Sequence, residues 1–176
     1  MKGEALPMNM IVAADKNWGI GKDGQLLTHL SGDLKYFKER TLGKVVVMGR
    51  KTLESLPGGK PLPGRTNIVL TANPGYRKEG CVIVHSMDEL RKKCLEFPDD
   101  DVMIIGGATL YNELMEECES LFITKIYEEF EADAFIKNAD ELPGYKVAWQ
   151  SEMHEEHGIR YQFFEYKREA EWVKRI

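Results

Sequence analysis

Residues 44–55 read KVVVMGRKTLES, an apolar run that leads directly into a helical pattern. The run at 44–49 is short and rich in valine, which is typical of a buried strand. The residues after Gly49 then open a predicted helix over about 50–56. Because strands that alternate with helices form parallel sheets, this stretch favours an α/β fold.

The same alternation continues along the chain. Further apolar runs predict strands at 8–14, 66–71, 81–85 and 101–106. Amphipathic stretches between them predict helices at about 31–41, 87–97 and 108–117. The last part is strand-like at 120–130, 145–157 and 158–169, with a hairpin turn near His157 and Gly158. We therefore expect one α/β domain over 1–176, with a mostly parallel sheet, flanking helices and a C-terminal antiparallel hairpin. Residues 1–8 are the expected N-terminal extension and 170–176 the expected C-terminal tail.

The composition excludes several classes of protein. The 176 residues are 43% hydrophobic and 30% charged, which fits a soluble globular domain. No apolar run approaches the roughly 20 residues of a membrane span, and the N-terminus lacks the apolar core of a signal peptide. The net charge of −5 gives no basic field for nucleic acid. Three distant cysteines, Cys81, Cys94 and Cys118, indicate reduced thiols and a cytoplasmic protein.

One carboxylate stands at the edge of an apolar helix face. In the predicted helix at 31–41, Leu34 and Phe37 lie near one side, with Ser31 as the expected N-cap. Asp33 is four residues before Phe37, so it lies only about 40° from Phe37 around the helix axis. First-turn acids often serve only to meet the positive end of the helix dipole. The alternative is that Asp33 lines a pocket and binds a ligand.

Three predicted strands end in residues suited to ligand binding, because ligands of open α/β sheets sit beyond the carboxyl ends of the strands. Gly49–Thr52 and Gly106–Thr109 each open a helix with glycine and free backbone N–H groups, which can receive phosphates. Thr71 ends a third strand. Two such turns indicate a ligand with separated phosphates, such as a dinucleotide, although neither turn carries the G-x-G-x-x-G fingerprint.

Two other motifs have both a plain and a functional interpretation. Arg65 lies in GGKPLPGRT (58–66), where it is either an exposed charge or a clamp for a carboxylate at the rim of a cleft. The motif HEEH (154–157) places two histidines three residues apart, but it falls in a predicted strand or turn without an evident third or fourth ligand. We therefore predict no metal site.

Five stretches, in this order, resemble the dihydrofolate reductase family. They are IVAADKNWGIGKDGQL (11–26), DLKYFKERTLGKVVVMGRKTLESLP (33–57), PLPGRTNIVLT (61–71), VMIIGGATLY (102–111) and LFITKI (121–126). The resemblance implies an eight-stranded, mostly parallel mixed sheet, with NADPH and dihydrofolate meeting in a central cleft. It also implies reduction of 7,8-dihydrofolate to 5,6,7,8-tetrahydrofolate for one-carbon metabolism. In that reaction a hydride passes from nicotinamide C4 to pterin C6, and N5 is protonated through water.

The resemblance assigns a substrate pocket residue by residue. Asp33 matches the acid that hydrogen-bonds the amidine edge of the pterin, and Thr124 matches the threonine that supports it. Thr28 stands where the family usually has a tryptophan that helps to fix a water near the acid. Arg65 matches the arginine that pairs with the α-carboxylate of the substrate's glutamate. The other substrate positions supply pocket walls or backbone carbonyls: Val12, Ala13, Leu34, Phe37, Leu56, Leu62, Ile105 and Tyr111.

The resemblance also assigns a site for NADPH. Ala14 and Ile20 match positions near the nicotinamide carboxamide, and the loop at 17–27 matches the mobile segment that closes over the nicotinamide. Arg50 and Thr71 fall where the family holds the adenosine 2′-phosphate. The other cofactor positions follow or end predicted strands: Gly49, Lys51, Thr52, Leu70, His85, Gly106, Gly107, Ala108, Thr109, Leu110 and Tyr111.

Departures from the family pattern keep two alternatives open. Thr28 leaves a roomier pocket edge than tryptophan, Leu53 replaces a common tryptophan, and Ala132 stands where a loop glycine is frequent. One alternative is a reductase of the same fold that acts on a ribosylated pyrimidine in riboflavin synthesis. The other is a non-catalytic folate- or nucleotide-binding protein. We expect a monomer that binds dihydrofolate and antifolate-type molecules, with no nucleic-acid or membrane partner.

Overall fold

Strands rich in valine, isoleucine and methionine run through the centre of the protein. The computed structural model describes residues 8–169, apart from the side chain of Asp99. Its strands are β1 (Asn9–Ala14), β2 (Gly19–Gly21), β3 (Val45–Gly49), β4 (Thr66–Leu70), β5 (Cys81–Val84), β6 (Val102–Gly106), β7 (Ser120–Ile126), β8 (Ala134–Phe135), β9 (Tyr145–Gln150), β10 (His154–Glu156) and β11 (Ile159–Arg168). Its α-helices are α1 (Ser31–Thr41), α2 (Arg50–Ser55), α3 (Met87–Cys94) and α4 (Ala108–Leu114). Single 3-10 turns lie at Pro57–Gly59, Asp99–Asp101, Met115–Glu117 and Ala139–Glu141.

The main sheet is mixed and mostly parallel. Its strand order is β10-β11-β7-β1-β6-β3-β4-β5, and β9 also pairs with β11. The strands from β7 to β5 in this order are parallel, whereas β11 is antiparallel to β7, β9 and β10. The sheet has nine strands, but β9 and β10 pair with successive parts of β11, so they share one position and the predicted eight-stranded width is confirmed. The small antiparallel pair of β2 and β8 is absent from the prediction, since two- and three-residue strands leave no periodic pattern.

Alternate residues of the parallel strands fill a core on each face of the sheet. In β3, Val45 and Val47 belong to one core, whereas Val46 and Met48 belong to the other, and all four are at most 3% exposed. The first core includes buried residues of α3 and α4. The second includes Leu53 of α2 and packs against α1. Burial on both faces explains why these strands are continuous apolar runs in the sequence.

Two helices are shorter than the sequence predicts. The predicted helix at 87–97 ends at Cys94, where Leu95 is 62% exposed and Pro98 follows closely. Because Leu95 gains little burial and a proline lies ahead, little favours another helical turn. The predicted helix at 108–117 ends at Leu114 and continues as a 3-10 turn.

The start of α1 corrects one expectation. The helix begins at Ser31 as predicted, but Leu30 occupies the N-cap position and supplies no side-chain cap. The hydroxyl of Ser31 instead donates to Oε1 of Glu156, at 2.8 Å. The backbone N–H of Ser31 donates to Oε2 of the same carboxylate, at 2.7 Å. Ser31 is therefore not the N-cap, because a carboxylate from β10 takes the free N–H groups of the first turn.

The C-terminal hairpin also differs in detail. The predicted turn near His157 is confirmed, with Glu156 opposite Ile159 and with positive φ at both His157 and Gly158. The predicted single strand at 145–157 is divided into β9 and β10. Ser151 lies at the break, where its hydroxyl accepts from the N–H of Phe163 and its own N–H donates to the carbonyl of that residue. These bonds replace the regular ladder, so the strand is interrupted.

The chain ends and the thiols complete the description. The expected N-terminal extension and C-terminal tail lie outside the described residues, except Met8, which is 1% exposed and packs in the first core. Cys81, Cys94 and Cys118 are free thiols. Within 8–169, no helix is long and apolar enough to cross a membrane.

Candidate active site

The parallel sheet opens between two of its central strands. β1 pairs with β7 along its whole length, from Asn9 to Ala14. Its ladder with β6 holds only Asn9 opposite Met103 and Met10 opposite Ile104. One residue further on, the Ile11 carbonyl accepts a 2.7 Å hydrogen bond from the hydroxyl of buried Tyr111 instead. A crevice beyond the carboxyl ends of parallel strands is the usual ligand site of an open α/β sheet.

Asp33 and Thr124 meet beside this crevice. Asp33 lies in the first turn of α1, and Thr124 lies on β7 with 1% exposure. The Thr124 hydroxyl donates to Oδ1 of Asp33 at 2.7 Å. The two residues are 91 positions apart in the sequence, so only the fold brings them together. This hydrogen bond holds the Asp33 carboxylate against β7, at the open end of the sheet.

The surroundings of Asp33 favour its protonated form. Burial raises the pKa of the carboxyl above its ordinary value of 3.8, and the hydrogen bond from Thr124 offsets part of this rise. Burial raises the pKa of the nearby Tyr111 phenol, and the negative charge of Asp33 raises it further. A carboxylate poised in this way accepts strong hydrogen bonds from any cationic or polar group that replaces its lost water.

The predicted pocket walls lie on both sides of Asp33. Phe37, Leu56 and Leu62 are partly buried against the second core. Val12 lies in β1 and Ile105 lies in β6, and their exposed fractions are 8% and 9%. The remaining two wall positions are Ala13, which packs partly buried near Leu30, and Leu34, which is 46% exposed.

Arg65 lies in an open groove next to the pocket. The groove has a volume of about 550 Å³ and is lined by Phe37, Leu62 and Arg65 among others. Burial lowers the pKa of the Arg65 guanidinium, and Nε of Arg65 has no hydrogen-bond partner among the described residues. A partly desolvated cation with an open donor is suited to a carboxylate.

Asn67 holds this groove in shape, and the sequence analysis missed it. Its Oδ1 accepts from the N–H of Leu62 at 2.9 Å. Its Nδ2 donates to the carbonyls of Leu62 and Arg65, at 3.0 and 3.1 Å. Asn67 is 2% exposed. An asparagine inside the apolar run of β4 was the available signal, because buried amides need such partners.

The two glycine turns lie side by side. β3 and β6 are neighbours in the sheet, so their carboxyl ends place Gly49–Thr52 next to Gly106 and Gly107. A Cβ added at Gly106 would lie 3.2 Å from Oγ1 of Thr52, and Gly106 has φ of 140°. Gly49 has open space where a side chain would be. Glycines at two adjacent helix starts allow phosphate groups to approach the backbone N–H groups closely.

The other predicted cofactor positions are distributed around these turns. Nδ1 of His85 lies 3.0 Å from the carbonyl of Thr71, which brings those two residues together beyond β4 and β5. Arg50 forms an ion pair with Glu54 in its own helix, at 3.5 Å. Lys51 and Thr109 are exposed. The others are Leu70, which is partly buried, Ala108, which begins α4, and Ala14 and Leu110, which are buried.

The loop at 17–27 is fastened to the segment after β7 by residues that the sequence analysis missed. Asp15 is 5% exposed, and its carboxylate accepts from the N–H groups of Gly19 and Phe130. Asp133 accepts from the N–H of Asp23 at 3.0 Å. The loop contains a G-x-G-x-x-G match, GIGKDG at 19–24, which forms β2 and a tight turn and opens no helix.

Ile20 lies within this loop, and Thr28 directly follows it. Ile20 lies in β2 and packs against the first core. Thr28 is partly buried, and no hydrogen bond between described residues joins it to Asp33. The structure thus brings Thr124 to Asp33 directly, but not Thr28.

These features define an α/β protein with a ligand crevice at the carboxyl ends of its parallel strands. A family model described as dihydrofolate reductase matches residues 7–168. Dihydrofolate reductase of Bacillus subtilis is 42% identical over 134 residues, which cover 76% of this chain and 77% of that protein. Dihydrofolate reductase type 3 of Salmonella typhimurium is 39% identical over 144 residues, which cover 81% and 83%.

A solved structure agrees with these sequences. Dihydrofolate reductase from Enterococcus faecalis, complexed with NADP(H) and RAB-propyl, superposes with a TM-score of 0.83 and 35% identity. The match covers 93% of this chain and 98% of that chain. The chain belongs to the dihydrofolate reductase family.

Replacement of Asp33 by asparagine is expected to stabilise the fold at neutral pH. Because the folded-state pKa of Asp33 is raised, the folded protein binds more protons than the unfolded chain between the two pKa values. The free energy of unfolding of the wild type therefore falls as pH rises through that window and stays low above it. Urea unfolding at several pH values should show Asp33→Asn more stable than wild type at neutral pH.

The difference should close as pH falls below 3.8, the ordinary value for the Asp33 carboxyl. Asp100→Asn is the matched control, because Asp100 is exposed before the amino end of β6. It should change the free energy of unfolding by no more than about 0.5 kcal/mol. A less stable Asp33→Asn at neutral pH would contradict the burial of an ionisable group at this position.

Proposed function

We propose that this chain catalyses the NADPH-dependent reduction of 7,8-dihydrofolate to 5,6,7,8-tetrahydrofolate, in support of one-carbon metabolism. The observation that carries the proposal is the acid beside the crevice, Asp33, which accepts a 2.7 Å hydrogen bond from the Thr124 hydroxyl. Membership of the dihydrofolate reductase family supports the same reaction. The roles of individual residues below are part of the proposal.

Asp33 is proposed to bind the amidine edge of the pterin. That edge presents two adjacent N–H donors, and the two oxygens of one carboxylate accept both in a fork. Thr124 donates to Oδ1 of Asp33, which fixes the plane of the carboxylate before the substrate arrives. Phe37, Leu56 and Leu62 supply apolar walls for the flat rings of the substrate.

Asp33 is proposed to favour protonation at pterin N5 without reaching that atom itself. The pocket disfavours its ionised form, so binding a protonated pterin relieves the unpaired charge. The proton then arrives through water at the pocket edge, next to Thr28, whose hydroxyl is suited to hold a water. The roomier edge left by threonine bears on the response to antifolates.

Arg65 is proposed to hold the glutamate tail of dihydrofolate. Its open donor and desolvated charge suit the α-carboxylate, which carries the opposite charge into the groove. Asn67 supports this role because it fixes the backbone on both sides of the arginine. Substrate recognition thus uses a carboxylate at one end and a guanidinium at the other.

The residues present fit NADPH. Gly49–Thr52 and Gly106–Gly107 offer backbone N–H groups, and the glycines allow the close approach that a pyrophosphate requires. Arg50, Thr71 and His85 are proposed to meet the 2′-phosphate, and Ala14 and Ile20 the nicotinamide carboxamide. When bound, NADPH supplies the hydride that passes from nicotinamide C4 to pterin C6. The loop at 17–27 then excludes water from the crevice.

The reaction is tested by mixing the purified chain with NADPH and dihydrofolate and following the loss of NADPH absorbance. We expect steady oxidation that slows as pH rises through the neutral range, because N5 must be protonated. Asp33→Asn should lower the rate about 100-fold or more while NADPH affinity stays unchanged. Asp100→Asn should retain the wild-type rate.

Two outcomes would overturn the proposed reaction, and a third would overturn only the role of Asp33. A ribosylated pyrimidine reduced faster than dihydrofolate would favour a reductase of riboflavin synthesis. Binding of both ligands without turnover would favour a non-catalytic homologue. Near-normal turnover of Asp33→Asn would remove the acid from the reaction.

Arg65→Leu is expected to raise KM for dihydrofolate about 10- to 100-fold, the value of a charged hydrogen bond, with little change in the affinity for NADPH. The leucine keeps the apolar groove but cannot pair with a carboxylate. Arg160→Leu is the matched control, since Arg160 is exposed on β11. Equal losses of affinity for dihydrofolate and NADPH would contradict the assignment.

We further propose that the chain acts as a cytoplasmic monomer with small-molecule ligands and no nucleic-acid partner. The net charge of −5 supports the last point. Three free thiols, two of them buried, support a reducing compartment.

A further inference from the structure

Glu156 accepts hydrogen bonds from the first turn of α1, the helix that carries Asp33. It is the last residue of β10, and its side chain is 20% exposed. Its Oε2 accepts from the N–H of Ser31 at 2.7 Å, and its Oε1 accepts from the Ser31 hydroxyl at 2.8 Å and the N–H of Gly32 at 3.3 Å. One carboxylate from 125 positions further along the chain thus makes three contacts with two residues. The next residue of α1 is Asp33.

These contacts replace a cap that α1 cannot make for itself. The first N–H groups of a helix have no partner inside the helix. Leu30 at the N-cap has no side-chain acceptor, and the Ser31 hydroxyl is used as a donor to Glu156. The negative carboxylate also meets the positive end of the helix dipole. The hydrogen bonds from Ser31 and Gly32 hold the pKa of Glu156 below its ordinary range, so the carboxylate is ionised at neutral pH.

A second contact presses the same turn against the hairpin. A Cβ added at Gly32 would lie only 2.2 Å from the hydroxyl oxygen of Tyr161. Tyr161 is 3% exposed and stacks on His154, with ring centroids 5.4 Å apart. The backbone of α1 at Gly32 therefore lies directly against the Tyr161 side chain of β11. Only glycine fits this approach.

Glu156 and Thr124 belong to one continuous piece of sheet. Glu156 pairs with Ile159 of β11, and Phe163 of β11 pairs with Thr124 of β7. The ring of Phe163 also stacks on Tyr36 of α1, with centroids 4.1 Å apart. The sheet thus makes two kinds of contact with the first turn of α1. Glu156 accepts from the helix backbone, and Thr124 donates to the Asp33 side chain.

We infer that Glu156 is a positioning residue for the reaction, which fixes the first turn of α1 so that Asp33 faces Thr124 and the substrate. The inference rests on the proposed function. Among the described residues, no hydrogen bond or ion pair joins Glu156 to Asp33, so Glu156 acts on Asp33 through the first turn of the helix. A displacement of about 1 Å at a reacting group is enough to cost up to about 100-fold in rate.

The test compares three single variants. Glu156→Ala removes both acceptor oxygens, and kcat/KM for dihydrofolate should fall about 10-fold or more, while the dissociation constant of NADPH stays unchanged. Glu156→Gln keeps one acceptor oxygen for Ser31 and should recover most of this loss. Glu155→Ala is the matched control, since Glu155 is the exposed neighbour on β10 and should behave as wild type.

A double variant separates positioning from general structural damage. If Glu156 acts through Asp33, Glu156→Ala should have little further effect on kcat/KM once Asp33→Asn is present. The same 10-fold loss in both backgrounds would overturn the inference. Equal losses for NADPH and dihydrofolate, or a Gln variant as poor as the Ala variant, would overturn it as well.

Wild-type turnover keeps the two proposals distinguishable. If the wild type does not reduce dihydrofolate, the proposed function has failed. If the wild type is active and Glu156→Ala has wild-type kcat/KM, only the role of Glu156 has failed.

Discussion

The hydrogen bond from Thr124 to Asp33 joins strand β7 to helix α1, and the candidate site depends on the correct placement of both elements. Thr124 is fixed in the sheet by pairing with β1 and β11, and Asp33 belongs to a helix on the sheet's face. The bond spans the edge of the crevice where β1 leaves β6. Burial disfavours the ionised form of Asp33, so the carboxylate is stabilised when a substrate donates hydrogen bonds to it.

Much of the fold could be predicted because strands that are buried on both faces of a sheet are continuous apolar runs in the sequence. The stretch at 44–55 gave the strand of β3 and the helix of α2 within one residue. The predicted N-cap of α1, Ser31, was wrong for a physical reason. Capping patterns consider acceptors close in sequence, whereas the acceptor here is Glu156, 125 positions away. The break at Ser151 depends likewise on pairing with a distant strand.

The candidate site was predictable where chemistry is carried by unusual residues at strand ends. Asp33, Arg65 and the glycine turns stand out by their type and place in the sequence. Asp15 and Asn67 do not, because their function is to satisfy backbone groups of loops that the sequence alone does not position. The supporting residues therefore needed the structure, although a buried polar side chain in an apolar run is a usable signal.

The most direct test of this account is the pKa of Asp33, followed by carbon NMR of the labelled carboxyl in the ligand-free protein. The account predicts titration above 3.8 in the wild type, and a further rise in Thr124→Val, which removes the donor that stabilises the ionised form. Titration of Asp33 at or below 3.8, or no change in Thr124→Val, would contradict the claim that a buried, threonine-held acid organises this site.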